Sequence, residues 1–382
     1  MVLISRYLSA SIKEDLGDRK MVFLGGPRQV GKTTLSLSFL DQGTEAHPAY
    51  LNWDDPQDRA RIRSEDFPEE EPLLVFDEVH KLKTWRRILK GAYDKRKNRT
   101  QFIVTGSARL DYYAKGGDSL LGRYRYYRLH PFSLNELVGK GANCKDVERL
   151  LKFGGFPEPL FKESERTLRR WHNERLHRLI QDDVRDLETV KDLSSMELLA
   201  HSLTSKVGAP LSVKALAEDL MCSFATAERW LQILERMYYC FRIPPLGAPK
   251  VKAVKKEQKL YLWDWSELQA PGTRFENMVA CQLLKHCHFL QDTEGYRMEL
   301  RFLRDVEKRE VDFVVLKNGK PDFAIEVKTG EKPATAALHY FRERTNIPRF
   351  YQVHMGKLDT GSATHGVRII PFHKLVEELS LP

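Results

Sequence analysis

The ten residues GGPRQVGKTT, at positions 25–34, constrain this chain more than any other stretch. Gly26, four residues, then Gly31, Lys32 and Thr33 satisfy the pattern G-x-x-x-x-G-K-[ST] in full. Such a loop works only between a buried strand and a helix, because its backbone N–H groups turn inward while the helix directs its positive end at an anion. Both flanks are present: the apolar run MVFL precedes the loop and TLSLSFL follows it. Gly26, Pro27, Arg28, Gln29, Val30, Gly31, Lys32, Thr33 and Thr34 therefore form a candidate phosphate cradle. In it Lys32 reaches the β- and γ-phosphates of ATP and the Thr33 hydroxyl meets Mg²⁺.

A nucleotide site of this kind needs acidic groups opposite the loop. PLLVFDEVHKL supplies them, with Leu73–Phe76 as a buried parallel strand and Asp77 and Glu78 at its carboxyl end. Asp77 is expected to hold Mg²⁺ through water, and Glu78 to polarise the attacking water. QFIVTGSARL reads as a third buried strand, and either Thr105 or Ser107 at its exit is placed to sense the γ-phosphate. In LLGRYRYYRLHPFSLNE, a strand follows Gly122. The aromatic and basic string fits either a final sheet strand with arginines at its edge or a nucleic-acid platform. Arg123 is the candidate for an arginine that completes a neighbouring subunit's site.

These runs, in this order and followed by GGFPEP, resemble the prokaryotic AAA-type ATPases that carry a DUF4143-type C-terminal region. The resemblance spans essentially the whole chain. It implies an ASCE-class ATPase using ATP and Mg²⁺, and a homo-oligomer with a hexamer among the candidates, but no particular substrate.

Charge adds a constraint on partners. Lys and Arg number 62 against 53 Asp and Glu, a net charge of +9, which favours an anionic partner, with DNA first and RNA the weaker alternative. No apolar run reaches the roughly 18–20 residues that span a bilayer. The amino terminus has helical apolar spacing at Leu3, Ile4, Tyr7, Leu8, Ile12 and Leu16 but lacks the long apolar centre of a signal peptide. Five scattered cysteines argue for a reducing compartment, hence a cytoplasmic protein. Cys281, His286, Cys287 and His288 match no common zinc spacing and read better as a buried helix face.

The middle of the chain begins with a charged amphipathic helix after GGFPEP. Next, LSVKALAEDL, capped by Ser212, and ATAERWLQILERMY read as two helices of a helix-turn-helix. Glu228, Arg229, Gln232 and Arg236 are expected to face outward. The strand, basic loop and strand that follow give a winged-helix layout, with Lys250, Lys252, Lys255, Lys256 and Lys259 on the loop as phosphate contacts. A rigid spacer or subunit contact is the plainer role for such a module.

The last third carries MELRFLRDV and REVDFVVLKNGKPDFAIEVKTG, three strands of which the last two meet at an Asn-Gly turn. Period-two alternation puts Ala324, Glu326 and Lys328 on one face and Phe323, Ile325 and Val327 inward. Asp312 and Glu326 then stand where they can share a divalent cation, beside Lys328. Glu276, Asp312, Glu326 and Lys328 resemble, in order, the constellation of the PD-(D/E)XK nuclease fold. Val311 stands where that pattern has proline. An intact constellation does not by itself prove cleavage, because the fold also serves as a passive binding module.

The expected organisation is α/β throughout. It comprises a P-loop (ASCE/AAA-type) parallel-sheet domain over 1–150, a helical segment with a winged-helix domain over 151–265, and a restriction-endonuclease-like α/β domain over 266–382. The expected function is an ATP-hydrolysing, DNA-processing enzyme with a metal-dependent nuclease. The alternative is a regulatory NTPase switch whose C-terminal domain binds DNA or a protein without cleaving.

Overall fold

The structure is a computed structural model that describes residues 4–106, 110, 120, 122–184, 192–247 and 258–382, with side chains omitted at 182–184. Two compact units divide at His130 and Pro131.

The first unit is built on an all-parallel sheet of β1 (Met21–Gly25), β2 (Tyr50–Asn52), β3 (Leu73–Asp77), β4 (Gln101–Gly106) and β5 (Tyr124–Arg128), in the order β2-β3-β4-β1-β5. Strands β1 and β3 are buried at every position, which is why they read as unbroken apolar runs rather than alternating ones. The helices are α1 (Ser9–Gly17), α2 (Lys32–Leu37), α3 (Pro56–Ser64) and α4 (Trp85–Arg96). Strand β4 lies between the P-loop strand and the acidic strand, so the carboxyl ends of β1, β4 and β3 open on one crevice. The aromatic string around Arg123 forms the edge strand β5, where Tyr124 stacks on Phe23 at 4.3 Å between ring centres.

In the second unit, helices α5 (Leu134–Val138), α6 (Cys144–Phe153), α7 (Pro157–Lys162), α8 (Glu165–Arg178) and α9 (Leu193–Leu203) lead to the helix pair α10 (Val213–Asp219) and α11 (Phe224–Arg236). Ser212 caps α10 by accepting from the Ala215 N–H at 3.3 Å. The short strand β6 (Pro210–Leu211) joins β7 (Cys240–Ile243) and β8 (Gln258–Leu262) in an antiparallel sheet ordered β6-β8-β7. The row expected to face outward on α11 is partly spent internally. Glu228 and Glu235 clamp the Arg242 guanidinium of β7 with four hydrogen bonds of 2.9–3.0 Å, leaving Arg229 and Gln232 exposed.

The C-terminal sheet is mixed. Strands β9 (Met298–Arg304), β10 (Glu310–Lys317) and β11 (Lys320–Val327) are antiparallel, while β12 (Phe350–His354) and β13 (Arg368–Pro371) continue in parallel from β11. Helix α12 (Pro271–Glu294) packs on this sheet, α13 (Ala336–Arg344) makes the crossover from β11 to β12, and α14 (Phe372–Glu378) closes the fold. The Asn-Gly turn forms as expected, with φ of 53° at Asn318 and 78° at Gly319, the doubly left-handed geometry a two-residue hairpin requires. The outer edge of β9 is covered by the segment after β7: Leu246 N–H donates to the Phe302 carbonyl at 2.7 Å, and Phe302 N–H to the Pro244 carbonyl at 3.2 Å.

Ala324 lies on the face of Glu326 but is fully buried, in a cluster with Val314, Leu338, Phe341 and Phe350. Strand β11 is central in its sheet and covered on both sides, so the alternation of its sequence marks polarity rather than exposure.

Among the described residues no helix is long and apolar enough to cross a membrane, and no disulfide joins the five cysteines. Cys281 is a core residue whose thiol donates to the Leu262 carbonyl at 3.1 Å.

Beneath the helices of the second unit, Arg175 donates to Glu267 at 2.6 Å, and Tyr239 donates to the other oxygen of that carboxyl. Burial raises the Glu267 carboxyl to about 7, although the Arg175 charge pulls it back. Between about pH 4.5 and 7 the folded state therefore holds a proton that the unfolded chain has lost, so this group's contribution to stability falls as pH rises. Glu267→Gln is expected to flatten the decline in unfolding free energy across this window, read from urea melts at pH 5, 6 and 7. An unchanged slope refutes the assignment.

Candidate functional site

The P-loop leaves β1 through Gly26, whose φ of 152° lies in glycine territory and where a Cβ would sit 2.4 Å from the Leu129 carbonyl oxygen. Only glycine allows that approach. Gln29 also adopts a left-handed φ of 62°, and Gly31 leads into α2 at φ 98°. The Lys32 ammonium is buried and donates to the carbonyls of Gly26 and Pro27 at 3.0 and 2.9 Å, which holds it inside the curve of the loop. The cradle residues from Gly26 to Thr34 are thus contiguous around the turn that links β1 to α2.

At the ends of the neighbouring strands, Asp77 gathers three hydroxyls. Thr33 donates to its Oδ2 at 2.7 Å, Tyr50 to the same oxygen at 2.9 Å, and Thr105 to Oδ1. Burial first, and then the Asp77 charge, raises Tyr50 far above the ordinary phenol value, so it stays a donor. Of the two alternatives at the exit of β4, Thr105 stands against Asp77, while Ser107 lies outside the described residues. Glu78 begins a short helical turn at a left-handed φ of 54°, and its Oε2 lies 3.7 Å from both His80 Nε2 and Lys81 Nζ. Burial lowers the His80 imidazole below its usual value, so the group beside Glu78 is neutral at physiological pH.

Arg123 stands at the amino end of β5, the end of the sheet away from the P-loop, and its Nε pairs with Asp94 at 3.2 Å. It does not reach the nucleotide site of its own chain.

Sequence reasoning missed Arg6 and Tyr50. Arg6 is buried and donates to the Val30 carbonyl at 2.9 Å and the His130 carbonyl at 2.5 Å, so it ties the P-loop to the strand end beyond β5. Its only sequence signal is a basic residue within an apolar helical pattern.

The second site lies on β10, β11, α12 and β8. Phe313 pairs with Ile325, which places Asp312 opposite Glu326 on one face of the sheet. An extra residue on β10 between the pairs Val311–Leu303 and Val314–Arg301 makes a bulge at Asp312, the kind of irregularity that re-aims a side chain. Asp312 Oδ2 accepts from the Val327 N–H at 2.9 Å. Lys328 donates to Glu326 at 2.6 Å, and Tyr261 donates to Glu276 at 2.8 Å. All four residues expected for this site converge here.

Two residues join them that the sequence placed elsewhere or passed over. Lys259 is not on a solvent loop. It lies in β8, the middle strand of its sheet, where its side chain is 1 % exposed. Its Nζ is 2.6 Å from Glu310, 3.3 Å from Asp312 and 3.4 Å from Glu276. A lysine at this position cannot grip a phosphate backbone in solvent. The other lysines of the expected basic loop, at 250, 252, 255 and 256, lie outside the described residues.

Burial works against the Lys259 ammonium, but Asp312, Glu276 and Glu310 outweigh it and hold the group above its ordinary value. Burial, with the Asp312 charge behind it, raises the Glu276 and Glu326 carboxyls well above the glutamate range. Burial likewise opposes the Lys328 ammonium, whose bond to Glu326 lifts it overall. Among the described residues no three His, Cys, Asp or Glu side chains are arranged to hold a metal ion. The cluster answers its charge with a lysine instead.

Residues 18–138 match a family described as an AAA domain, 144–270 a domain of unknown function (DUF8612), and 271–375 a domain of unknown function (DUF4143). An uncharacterized protein of Mycobacterium tuberculosis is 23 % identical over 346 residues, covering 87 % of this chain and 76 % of its own. An uncharacterized protein of Methanocaldococcus jannaschii is 21 % identical over 409 residues, covering 97 % and 91 %. Among solved structures, the Orc1 protein of Aeropyrum pernix in complex with DNA aligns at 12 % identity over 72 % of this chain and 93 % of that one. Its TM-score is 0.34. The AAA-domain match, the parallel sheet and the P-loop identify a nucleotide-binding domain of the P-loop ATPase type.

Because Arg6 fixes the Val30 carbonyl, Arg6→Ala is expected to weaken binding of a fluorescent ATP analogue by roughly tenfold, about the value of one charge-assisted hydrogen bond. Titration of both proteins under one condition checks this, and equal affinity counts against the bracing role.

Proposed function

We propose that this chain is an ATP-hydrolysing switch whose C-terminal domain engages DNA without cutting it in the state described. The observation behind the ATPase half is the Thr33–Asp77 hydrogen bond of 2.7 Å across the crevice from the buried Lys32. Those two oxygens suit Mg²⁺ beside a nucleotide phosphate, where the ion would polarise the β- and γ-phosphates. Lys32 then neutralises phosphate charge, Thr105 orders Asp77, and Glu78 orients the attacking water. Arg123, remote from its own P-loop, is left with a role in a neighbouring subunit of a homo-oligomer.

Support for DNA comes from the net charge of +9, from exposed Arg229 on the second helix of the α10–α11 pair, and from the nuclease-like placement of Glu276, Asp312, Glu326 and Lys328. We read 1–150 as the ATPase domain, 151–265 as a helical and winged-helix region, and 266–382 as a restriction-endonuclease-like domain. The Lys259 contact favours engagement over cleavage, since the ammonium already bonds the carboxylates that cutting would require. Convergence of the four expected residues favours a second reading, a DNA-cutting enzyme.

Lys32→Ala is expected to abolish ATP turnover. Glu78→Gln should keep nucleotide affinity but slow hydrolysis by about 10²-fold or more, the usual scale for a lost general base. Phosphate release and nucleotide titration measure both, and parental hydrolysis by Glu78→Gln rules out its role.

With Mg²⁺ or Mn²⁺, the parental protein is expected to shift linear DNA in a gel, in a strongly salt-dependent manner, and to leave its length unchanged. Cleavage that disappears in Asp312→Ala, Glu326→Ala and Lys328→Ala would instead establish the second reading.

A further inference from the structure

Lys259 enters from β8, a different sheet from the one carrying Glu310 and Asp312, and reaches the carboxylates gathered there. Its ammonium touches three of the four carboxylates, and the fourth, Glu326, takes Lys328 on Oε1. The other Glu326 oxygen, Oε2, is buried and has no hydrogen-bond partner among the described residues. A buried carboxylate oxygen left over while the neighbouring oxygens share one ammonium marks a site with more negative donors than its internal cations satisfy.

We propose that Lys259 is the resident cation of this cluster: its ammonium, held by Glu276, Glu310 and Asp312, takes the place of a divalent metal ion beside Asp312, and a metal ion enters only when that ammonium is withdrawn. The chemistry is charge exclusion. A doubly charged ion coordinated by Asp312 would lie within a few ångströms of the Lys259 nitrogen, and like charges this close in a desolvated site repel far more strongly than in water. The Lys259 side chain is 1 % exposed, so it cannot turn into solvent while β8 keeps its pairing with β6 and β7. Entry of the metal is thereby tied to movement of β8. This inference deepens the DNA-engaging reading above, since it names what keeps the cluster from cutting.

The test uses the full-length chain without nucleotide and Mn²⁺ as the probe. Lys259→Met removes the charge and keeps the length, Lys259→Arg keeps the charge, and Lys259→Met/Asp312→Asn removes the receiving carboxylate. Mn²⁺ binding, followed by the loss of the free-ion electron paramagnetic resonance signal, is expected to be at least about tenfold tighter in Lys259→Met than in the parent. Lys259→Arg should resemble the parent, and the double variant should lose the gain. Lys259→Met is also expected to melt at a lower temperature than the parent, because it leaves carboxylates without their counter-ion, and to recover with Mn²⁺ while the parent does not.

Parental binding as tight as that of Lys259→Met, or no gain in Lys259→Met, overturns the proposal. Should Lys259→Met not fold, amine-reactive labelling of the parental protein read by mass spectrometry decides. Lys259 is expected to stay protected without Mn²⁺, and labelling there as fast as that of an exposed lysine, or Mn²⁺ binding with Lys259 still protected, refutes it. A parental protein that binds Mn²⁺ through Asp312, judged by the loss of binding in Asp312→Asn, and cuts DNA sinks this inference and the non-cutting reading together. A parental protein that binds Mn²⁺ there but leaves DNA intact sinks the inference alone.

Discussion

A buried ammonium ion must be met by oxygen, and among the described residues this chain buries three lysines: Lys32, Lys259 and Lys285. Each is met differently. Lys32 is held by loop carbonyls, which carry only partial charge and so can give way to a phosphate. Lys285 on α12 bonds the Glu136 carboxylate and, at 2.8 Å, the Ser133 hydroxyl, fixing α12 against α5. Lys259 faces three carboxylates at once. Partner charge thus separates a lysine poised for a ligand from one built into the frame, and Lys259 is the case where frame and site coincide.

The first unit shows the same logic in neutral groups. Three hydroxyls converge on Asp77, and each comes from a different element: Thr33 from α2, Tyr50 from β2 and Thr105 from β4. The strand order brings Tyr50 and Thr105 to it, because β3 has β2 on one side and β4 on the other, and the helix after the P-loop adds Thr33. A carboxylate so supplied is fixed in direction before any ligand arrives, and preorganised donors and acceptors are what stabilise charge with little rearrangement.

Apart from the set Glu276, Asp312, Glu326 and Lys328, which came from resemblance to a known fold, what the sequence disclosed sat within short windows. The P-loop, the Asp77–Glu78 strand end and the Asn318–Gly319 turn each depend on neighbours a few positions away, so spacing alone carries them. Tyr50 escaped notice because its partner is 27 residues distant and its own strand is three residues long. Arg6 meets the P-loop from 24 residues upstream. Lys259 was hidden for a further reason: the lysines before it give its segment the composition of a solvent loop, and only pairing with β6 and β7 carries it indoors. The alternation in FAIEVKTG was visible, but its meaning depended on α13 covering the other face, which period two cannot report.

The segment at Pro244–Leu246 changes what may be counted as a separable piece. The family described over 271–375 begins after it, yet that segment forms the border of β9 by bonding both sides of Phe302. A fragment starting at residue 271 would present β9 as a bare strand edge, with main-chain N–H and carbonyl groups open to another copy, and would also lack Lys259. Bare edges recruit further strands, which is a route to self-association. The unit recognisable by descent is therefore smaller than the unit that is physically closed.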